Sequence, residues 1–178
     1  DQLAIQAGVL HGLTEGIHLI KADSLTIVYN NPQLEALFGY APGELIGQHV
    51  SVLDDPADDN REQVARSIIA ALELSGRWEG DVRNIRKDGR VFWSHVVVSA
   101  FAHPEHGKVW ISVHEDATAR KLAEDEVKNL AFYDPLTQLP NRRLMMDRTH
   151  QALAASARTG KPGALLLIDL DNFKVLND

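Results

Sequence analysis

Apolar and polar positions run in short, turn-punctuated stretches as far as about residue 118, then give way to helical spacings and one unbroken apolar run. At the start, Leu3, Ile5, Val9, Leu10 and Leu13 fall at mixed helical spacing and Gly16 ends them, which predicts a leading helix over residues 1–16. Residues 17–21 and 25–30 are β-branched and apolar runs around Ala22, Asp23 and Ser24, the pattern of a hairpin. Asn31 and Pro32 break the second strand and open a helix on which Leu34, Leu37 and Phe38 share a face; Gly39 stops it.

Residues 54–60 are an acidic loop. A calcium loop needs alternating carboxylates, a glycine turn and a closing glutamate, and Pro56 already breaks the alternation. Asp59 with Glu62, or Asn60 with Gln63, instead fits a capping box at a helix start. That helix carries Val64, Ile68 and Leu72, with Ala65 and Ile69 beside them, runs to about Leu74 and ends at Gly76. Three strands follow over residues 78–86, 91–101 and 108–116, joined by turns at 87–89 and 103–107. In the middle strand Phe92, Ser94, Val96, Val98 and Ala100 alternate with Trp93, His95, Val97, Ser99 and Phe101, so one mainly aliphatic face needs a cover. The fold class is α+β, with a five-stranded antiparallel sheet and short helices over residues 17–118.

Composition narrows the function. A 44% apolar and 24% charged chain of 178 residues can bury a real core, with room for one domain and part of a second. Its net charge of -7 and lack of a basic stripe argue against nucleic acid as a partner. The absence of cysteine excludes disulfides, thiolate metal sites and cysteine nucleophiles, and suits a reducing compartment. No apolar run reaches the roughly 18 to 20 residues of a membrane span, so a cytoplasmic location is expected, with any membrane attachment of the parent lying outside this chain.

Six segments in order resemble PAS domains with a PAC-type C-terminal half: Tyr29-Asn30-Asn31-Pro32, Phe38-Gly39-Tyr40, Glu44-Leu45-Ile46-Gly47, Trp78-Glu79-Gly80-Asp81, Arg86-Lys87-Asp88-Gly89 and Asp116-Ala117-Thr118. Relatives usually close with Asp-Ile-Thr, and Ala117 departs from that. The resemblance implies a sensor domain whose pocket lies between sheet and helices and holds haem, flavin, a small-molecule signal or nothing. Photoactive cysteinyl-flavin chemistry is excluded by the lack of cysteine, and haem is disfavoured because the helix over residues 61–74 has no histidine. His49, His95 and His114 remain candidate ligand contacts, with hydrogen-bonded structural roles the commoner reading. A non-photoactive flavin stays open, because Trp78, Trp93, Asn30 and Asn31 could stack on or hydrogen-bond to its ring, the competing reading being core packing and a turn cap. Asn30, Asn31, Trp78, Trp93 and His95 are thus the candidate pocket residues.

Residues 119–133 read as a signalling helix. Ala123, Val127 and Leu130, widened by Leu122 and Ala131, form an apolar seam among charged residues, which suits either a two-stranded coiled coil or a helix folded back on its own sheet. A homodimer through the sensor domain and this helix is the preferred expectation.

Beyond it, Asp134-Pro135 opens a turn, Leu136 and Leu139 read as buried, and Pro140 sits in the first turn of a helix running to about Arg158. Residues 164–168 then form an apolar run expected of a covered central strand. Asp169 and Asp171 follow on one side of the extended chain, where carboxylates suit Mg²⁺, although an Asp after a strand is more often a helix cap. Residues 134–143 and 164–178 together resemble the opening of the GGDEF family, the diguanylate cyclases that join two GTP molecules into cyclic di-GMP.

That resemblance makes Asp169 a Mg²⁺ ligand and Leu170 a second one through its backbone carbonyl. It places Phe173 and Lys174 at the phosphates and Asn177 at the guanine edge, and gives Asp171 a structural role. Asp134, Leu136, Thr137, Leu139, Asn141 and Arg142 would form the turn that packs the domain start against its strand. The Gly-Gly-(Asp/Glu)-Glu-Phe signature does not occur in residues 134–178, so this stretch is an incomplete α/β domain with no complete catalytic set, expected to be inactive alone. The function implied is the sensory and regulatory part of a diguanylate cyclase using GTP and Mg²⁺. The alternative is a degenerate domain that binds GTP and regulates a phosphodiesterase or other partner. A histidine-kinase sensor is disfavoured, because residues 119–135 contain no phosphoacceptor histidine.

Overall fold

The computed structural model describes residues 14–166 and 168, so the expected leading helix falls almost wholly outside the described residues. Gly16, read as its stop, instead opens the first strand, where a Cβ would come within 2.9 Å of Leu34. The elements are β1 (Gly16–Lys21), β2 (Ile27–Asn30), α1 (Pro32–Phe38), a 3₁₀ turn (Val50–Leu53), α2 (Arg61–Ser75), β3 (Arg77–Ile85), β4 (Val91–His103), β5 (Gly107–Asp116), α3 (Thr118–Phe132) and α4 (Arg142–Thr159). They fall into two compact units, residues 1–123 and 124–178, with the boundary inside α3.

The first unit is built on a five-stranded antiparallel sheet in the order β2-β1-β5-β4-β3. Its register explains the inner face. His18 pairs with Ser112, which pairs with Val98, and His114 pairs with Val96. The alternation expected in β4 is met, with Phe92, Ser94, Val96 and Val98 buried against the helical side. Ile20, Ile27, Leu34, Phe38, Leu45, Leu53 and Leu72 complete the core.

The entrance of α1 is fixed by Asn31, whose Oδ1 accepts the Leu34 N–H at 2.9 Å and the Ile17 N–H at 2.8 Å. Gly39, at φ 76°, closes that helix in the left-handed conformation that glycine adopts without a steric penalty. The capping box expected for α2 is not formed. Asn60 sits in helical backbone geometry with no side-chain cap, and Asp58 turns the chain instead, accepting the Asn60 N–H on Oδ1 at 3.0 Å and the Arg61 N–H on its carbonyl at 3.1 Å. Along α2 only Leu72 is buried; Val64 and Ile68 are half-covered and Ile69 is exposed.

The second unit holds the end of α3 and all of α4, neither of which contributes a buried residue. Helix α4 begins after Asn141, two residues beyond the expected Pro140, because the extended Asn141 backbone lets Oδ1 accept the Arg143 and Leu144 N–H groups. Leu136 and Leu139, read as buried, are 90% and 63% exposed, since no described strand lies over them. The strand expected at 164–168 is not formed among the described residues: 164–166 and 168 are irregular and pair with no neighbour, and an unpaired strand has no ladder to satisfy its backbone.

Candidate functional site

Beneath α2 the inner face of the sheet leaves a cavity of about 130 Å³. Ile20, Val82, Val96 and Val98 supply apolar wall from the sheet, and Val64, Ala65, Ile68 and Ile69 face it from α2. Two histidines stand in that wall. His18 and His114 lie with ring centroids 4.9 Å apart, and the His114 ring meets Phe38 edge-on at 5.5 Å. His114 Nδ1 is 3.0 Å from Ser94 Oγ. Both nitrogens of His18, Nε2 of His114, Nε1 of Trp110 and Oδ1 of Asn84 are buried without a protein partner.

Burial holds the His18 pKa down to about 4. His114 is lowered well below the ordinary value as well, by burial first and then by the neighbouring His18 ring. Both rings are therefore neutral at pH 7, each with one donor and one acceptor nitrogen. Asp54, at the same cavity, is pushed up by desolvation against the pull of Arg61 and His49.

None of the five candidate pocket residues lines this cavity, whereas His114, named with His49 and His95 as a candidate ligand contact, does. Asn31 is fully used as the cap of α1, with its Nδ2 donating to the Glu15 carbonyl at 3.0 Å. Asn30 Nδ2 donates to Glu35 at 2.7 Å. The Trp78 indole lies over Gly80, where a Cβ would come within 2.8 Å of it. Trp93 and His95 alternate onto the opposite face from Ser94 and Val96. His49 caps the 3₁₀ turn, its Nδ1 accepting the Ser51 N–H at 3.2 Å. Sequence reasoning missed His18, Trp110 and Asn84. The usable signal was strand parity, since His18 shares its face with Ile20 and Trp110 with Ser112 and His114.

A second constellation lies where α3 begins. Asp116 accepts the Thr118 N–H at 2.9 Å and pairs with Arg86 at 2.7 Å. The Arg86 guanidinium lies 4.3 Å above the Phe92 ring and donates to the Leu37 carbonyl. Asp81 receives Arg120 and Lys121, both at 2.7 Å, and His95 at 2.9 Å. Desolvation pushes the Asp81 carboxyl up, but these three hydrogen bonds outweigh it and hold the group well below the usual carboxylate range. Lys121 also sits 5.2 Å over the Trp93 ring. The first turn of α3 is thus tied to β3 and β4 by charge-assisted bonds, and a more open depression of about 400 Å³ lies among Asp81, His95, Glu115 and Arg120.

In the second unit the turn before α4 closes on itself. Asp134 Oδ1 accepts the Leu136 N–H at 3.1 Å, the Thr137 N–H at 2.9 Å and the Thr137 hydroxyl at 2.9 Å. Asn141 Nδ2 donates to the Ala131 carbonyl at 3.0 Å, and Arg143 lies 5.3 Å over the Phe132 ring. The expected turn is present in Asp134, Thr137 and Asn141. Asp169, Leu170, Phe173, Lys174 and Asn177, together with Asp171, lie outside the described residues.

Comparison with known proteins agrees with this division. Residues 14–119 match the family described as PAS domain, and residues 131–178 match the family described as diguanylate cyclase, GGDEF domain. A diguanylate cyclase of Vibrio cholerae is 38% identical over 161 residues, covering 85% of this chain and 47% of the relative. The bifunctional diguanylate cyclase/cyclic di-GMP phosphodiesterase MucR of Pseudomonas aeruginosa is 45% identical over 62 residues, which are 35% of this chain and 9% of that protein. The chain spans less than half the length of either relative. Among solved structures, the PAS domain of a protein from Colwellia psychrerythraea superposes with a TM-score of 0.60 at 26% identity, covering 67% of this chain and all of that one. Sheet order, helical cover and sequence match converge: the chain belongs to the PAS domain family, and a partial GGDEF domain of the diguanylate cyclase type follows within it.

Proposed function

We propose that this chain is the sensing and coupling portion of a cyclase that makes cyclic di-GMP from two GTP molecules, with the PAS unit setting the output of the GGDEF unit. The observation that carries the reading is the attachment of α3. Its first turn is held to the sheet through Asp116, Thr118, Arg120 and Lys121, so a change in the sheet has a direct mechanical route into the helix. Further along, Leu122, Val127 and Leu130 are 64%, 66% and 61% exposed, an apolar seam suited to a second copy of the same helix. Two copies meet the chemistry, since each product molecule joins two nucleotides and the spacing of two facing subunits can switch that reaction.

The nucleotide chemistry rests on the GGDEF resemblance. An Asp169 carboxylate and the Leu170 carbonyl are hard oxygen donors, the kind Mg²⁺ takes. When bound, the metal would lower the charge barrier to attack of a ribose 3′-hydroxyl on an α-phosphate, with the hydroxyl proton lost and pyrophosphate leaving as the α–β bond breaks. Lys174, with Phe173 beside it, would neutralise triphosphate charge, and Asn177 would read the guanine edge.

The test uses a protein that contains this chain and a complete GGDEF segment. Cyclic di-GMP formed from GTP is measured by chromatography for the unaltered protein and for Asp81→Asn, which removes the negative charge shared by Arg120, Lys121 and His95 and turns one acceptor oxygen into a donor. A shift of at least about threefold in output, with GTP affinity unchanged, is expected for a coupling element. Unchanged output would sink control through this attachment, and GTP binding without product would favour the degenerate, regulatory alternative.

A further inference from the structure

The coupling just described leaves unused the cavity beneath α2 and the polar atoms in its wall. A buried donor or acceptor with no partner costs about 1–3 kcal/mol, and most buried polar groups find one. Here several crowd one small space: both nitrogens of His18, His114 Nε2, Trp110 Nε1 and Asn84 Oδ1. Together they can both donate and accept, since neutral imidazole does each, the indole only donates and the amide oxygen only accepts. All of them are uncharged at neutral pH. The remaining wall is mainly aliphatic, with Asp54, Asp58, Arg61 and Arg83 among its lining residues as well, and the roof is a helix whose apolar face is only half covered. Size is the third constraint. A volume of about 130 Å³ is close to the roughly 150 Å³ of an apolar cavity that admits benzene, and it is far too small for haem or an isoalloxazine ring.

We propose that this cavity binds a small uncharged molecule about the size of a substituted benzene, its apolar body against Val96, Val98 and Ile68 and one hydroxyl or carbonyl group hydrogen-bonded to the His18, His114 and Trp110 nitrogens. The inference deepens the sensor reading and rests on it only for the idea that the bound molecule is the signal. Seating the apolar body would cover the inner face of α2, and the polar group would satisfy the crowded wall. A charged analogue is disfavoured, because the unpartnered atoms that would meet it are neutral, while Arg83 already pairs with Asp55 and Arg61 faces Asp54.

The experiment uses the chain as it stands. Phenol and benzyl alcohol are the probes, with benzene lacking the polar group and benzoate carrying a charge; thermal shift and tryptophan fluorescence give the readouts, since Trp110 lines the cavity. Saturable binding of phenol, roughly tenfold or more tighter than benzene and benzoate, is expected, about the worth of one well-made hydrogen bond. Ile68→Trp, which fills the cavity from the half-covered face of α2, should abolish it. His18→Phe keeps the ring volume and removes two unpartnered nitrogens. It should raise the melting temperature without ligand and narrow the difference between phenol and benzene, with His114 and Trp110 still present.

Failure of every neutral probe to saturate would overturn the proposal and leave the polar atoms to ordered water. Equal binding by the Ile68→Trp chain would also overturn it, as would benzene binding as tightly as phenol in the unaltered chain, or haem or flavin copurifying with the protein. If His18→Phe does not fold, the Ile68→Trp result and the phenol-to-benzene ratio still decide. Absent binding alongside an Asp81→Asn effect on cyclic di-GMP would sink this inference and spare the proposed function. Tight binding without any change in output would do the reverse.

Discussion

The two units of this chain fold by different means. Residues 14–123 close a core in which Ile27, Leu34, Phe38 and Leu45 are wholly buried, and their five strands exchange backbone hydrogen bonds along four pairings. Residues 124–166 bury no helical side chain at all; what order they have is local, supplied by the Asp134 turn, the Asn141 cap and hydrogen bonds within the helices. Tertiary burial is worth several kcal/mol per large side chain, whereas a cap or turn is worth about one. Stability, and with it cooperativity, should therefore be concentrated in the first unit.

The largest expected effect tests that concentration. Leu34→Ala removes a fully buried side chain at the contact with Gly16 and should cost about 3 to 4 kcal/mol. Leu153→Ala, in α4, removes one that is 62% exposed and should change stability by no more than about 0.5 kcal/mol. The Leu34→Ala midpoint is read by tryptophan fluorescence in urea, since Trp78, Trp93 and Trp110, the only three tryptophans, all lie in the first unit, and the Leu153→Ala midpoint by far-UV circular dichroism, which also reports α4. Comparable shifts in the two midpoints would erase the contrast.

A second difference is electrostatic. The first unit buries His18 and His114 as neutral rings, and no described group in the second is similarly enclosed. For a histidine whose pKa falls on folding, the unfolded chain binds more protons between the two values, so stability rises with pH there. With an unfolded value near 6.5 and a folded value of about 4 for His18, its contribution is complete above about pH 6.5. It is lost as the pH falls from there towards 4. The loss should approach roughly 3 kcal/mol, with His114 adding in the same direction. The carboxylates Asp81, Asp116 and Asp134, all lowered, lose their contributions only at more acid pH, and Asp54, which is raised, works the opposite way. His18→Phe should flatten the fluorescence-monitored profile between pH 6.5 and 4. An unchanged slope would mean that the ring is not held neutral.

What could be read from sequence follows the same line between local and long-range causes. The β4 alternation, the turn at Lys87-Asp88-Gly89 and the glycine stops at Gly39 and Gly76 are local signals, and each element they predict is present. The start of α2 after Asn60 is legible, but the capping box is not formed, because the helical backbone geometry of Asn60 leaves its side chain without a cap bond while Asp58 accepts its N–H. The cavity was harder to see. Its wall joins residues of β1, β4 and β5 that become neighbours only through the β2-β1-β5-β4-β3 order, which no single segment encodes. Trp93 and His95 looked like pocket residues because they are aromatic and on the long strand, yet parity sends them outward. Leu136 and Leu139 were read as buried from hydrophobicity, but burial needs a facing surface, and no described element supplies one.

The smallest effect probes the second unit on its own terms. Asn141 serves three local partners: Oδ1 accepts from Arg143 and Leu144, and Nδ2 donates to the Ala131 carbonyl. Asn141→Ala removes both the helix cap and the brace to the end of α3, at a cost of about 1 kcal/mol. Where nothing is buried, that is a large share of what orders the segment, so α4 should fray from its N-terminus and far-UV circular dichroism should lose helical signal. The tryptophan transition should not move, because the groups involved lie outside the unit that fluorescence reports. A cap whose loss shifted that transition would mean that the two units fold as one, and the division of labour between buried core and local turn would have to be abandoned.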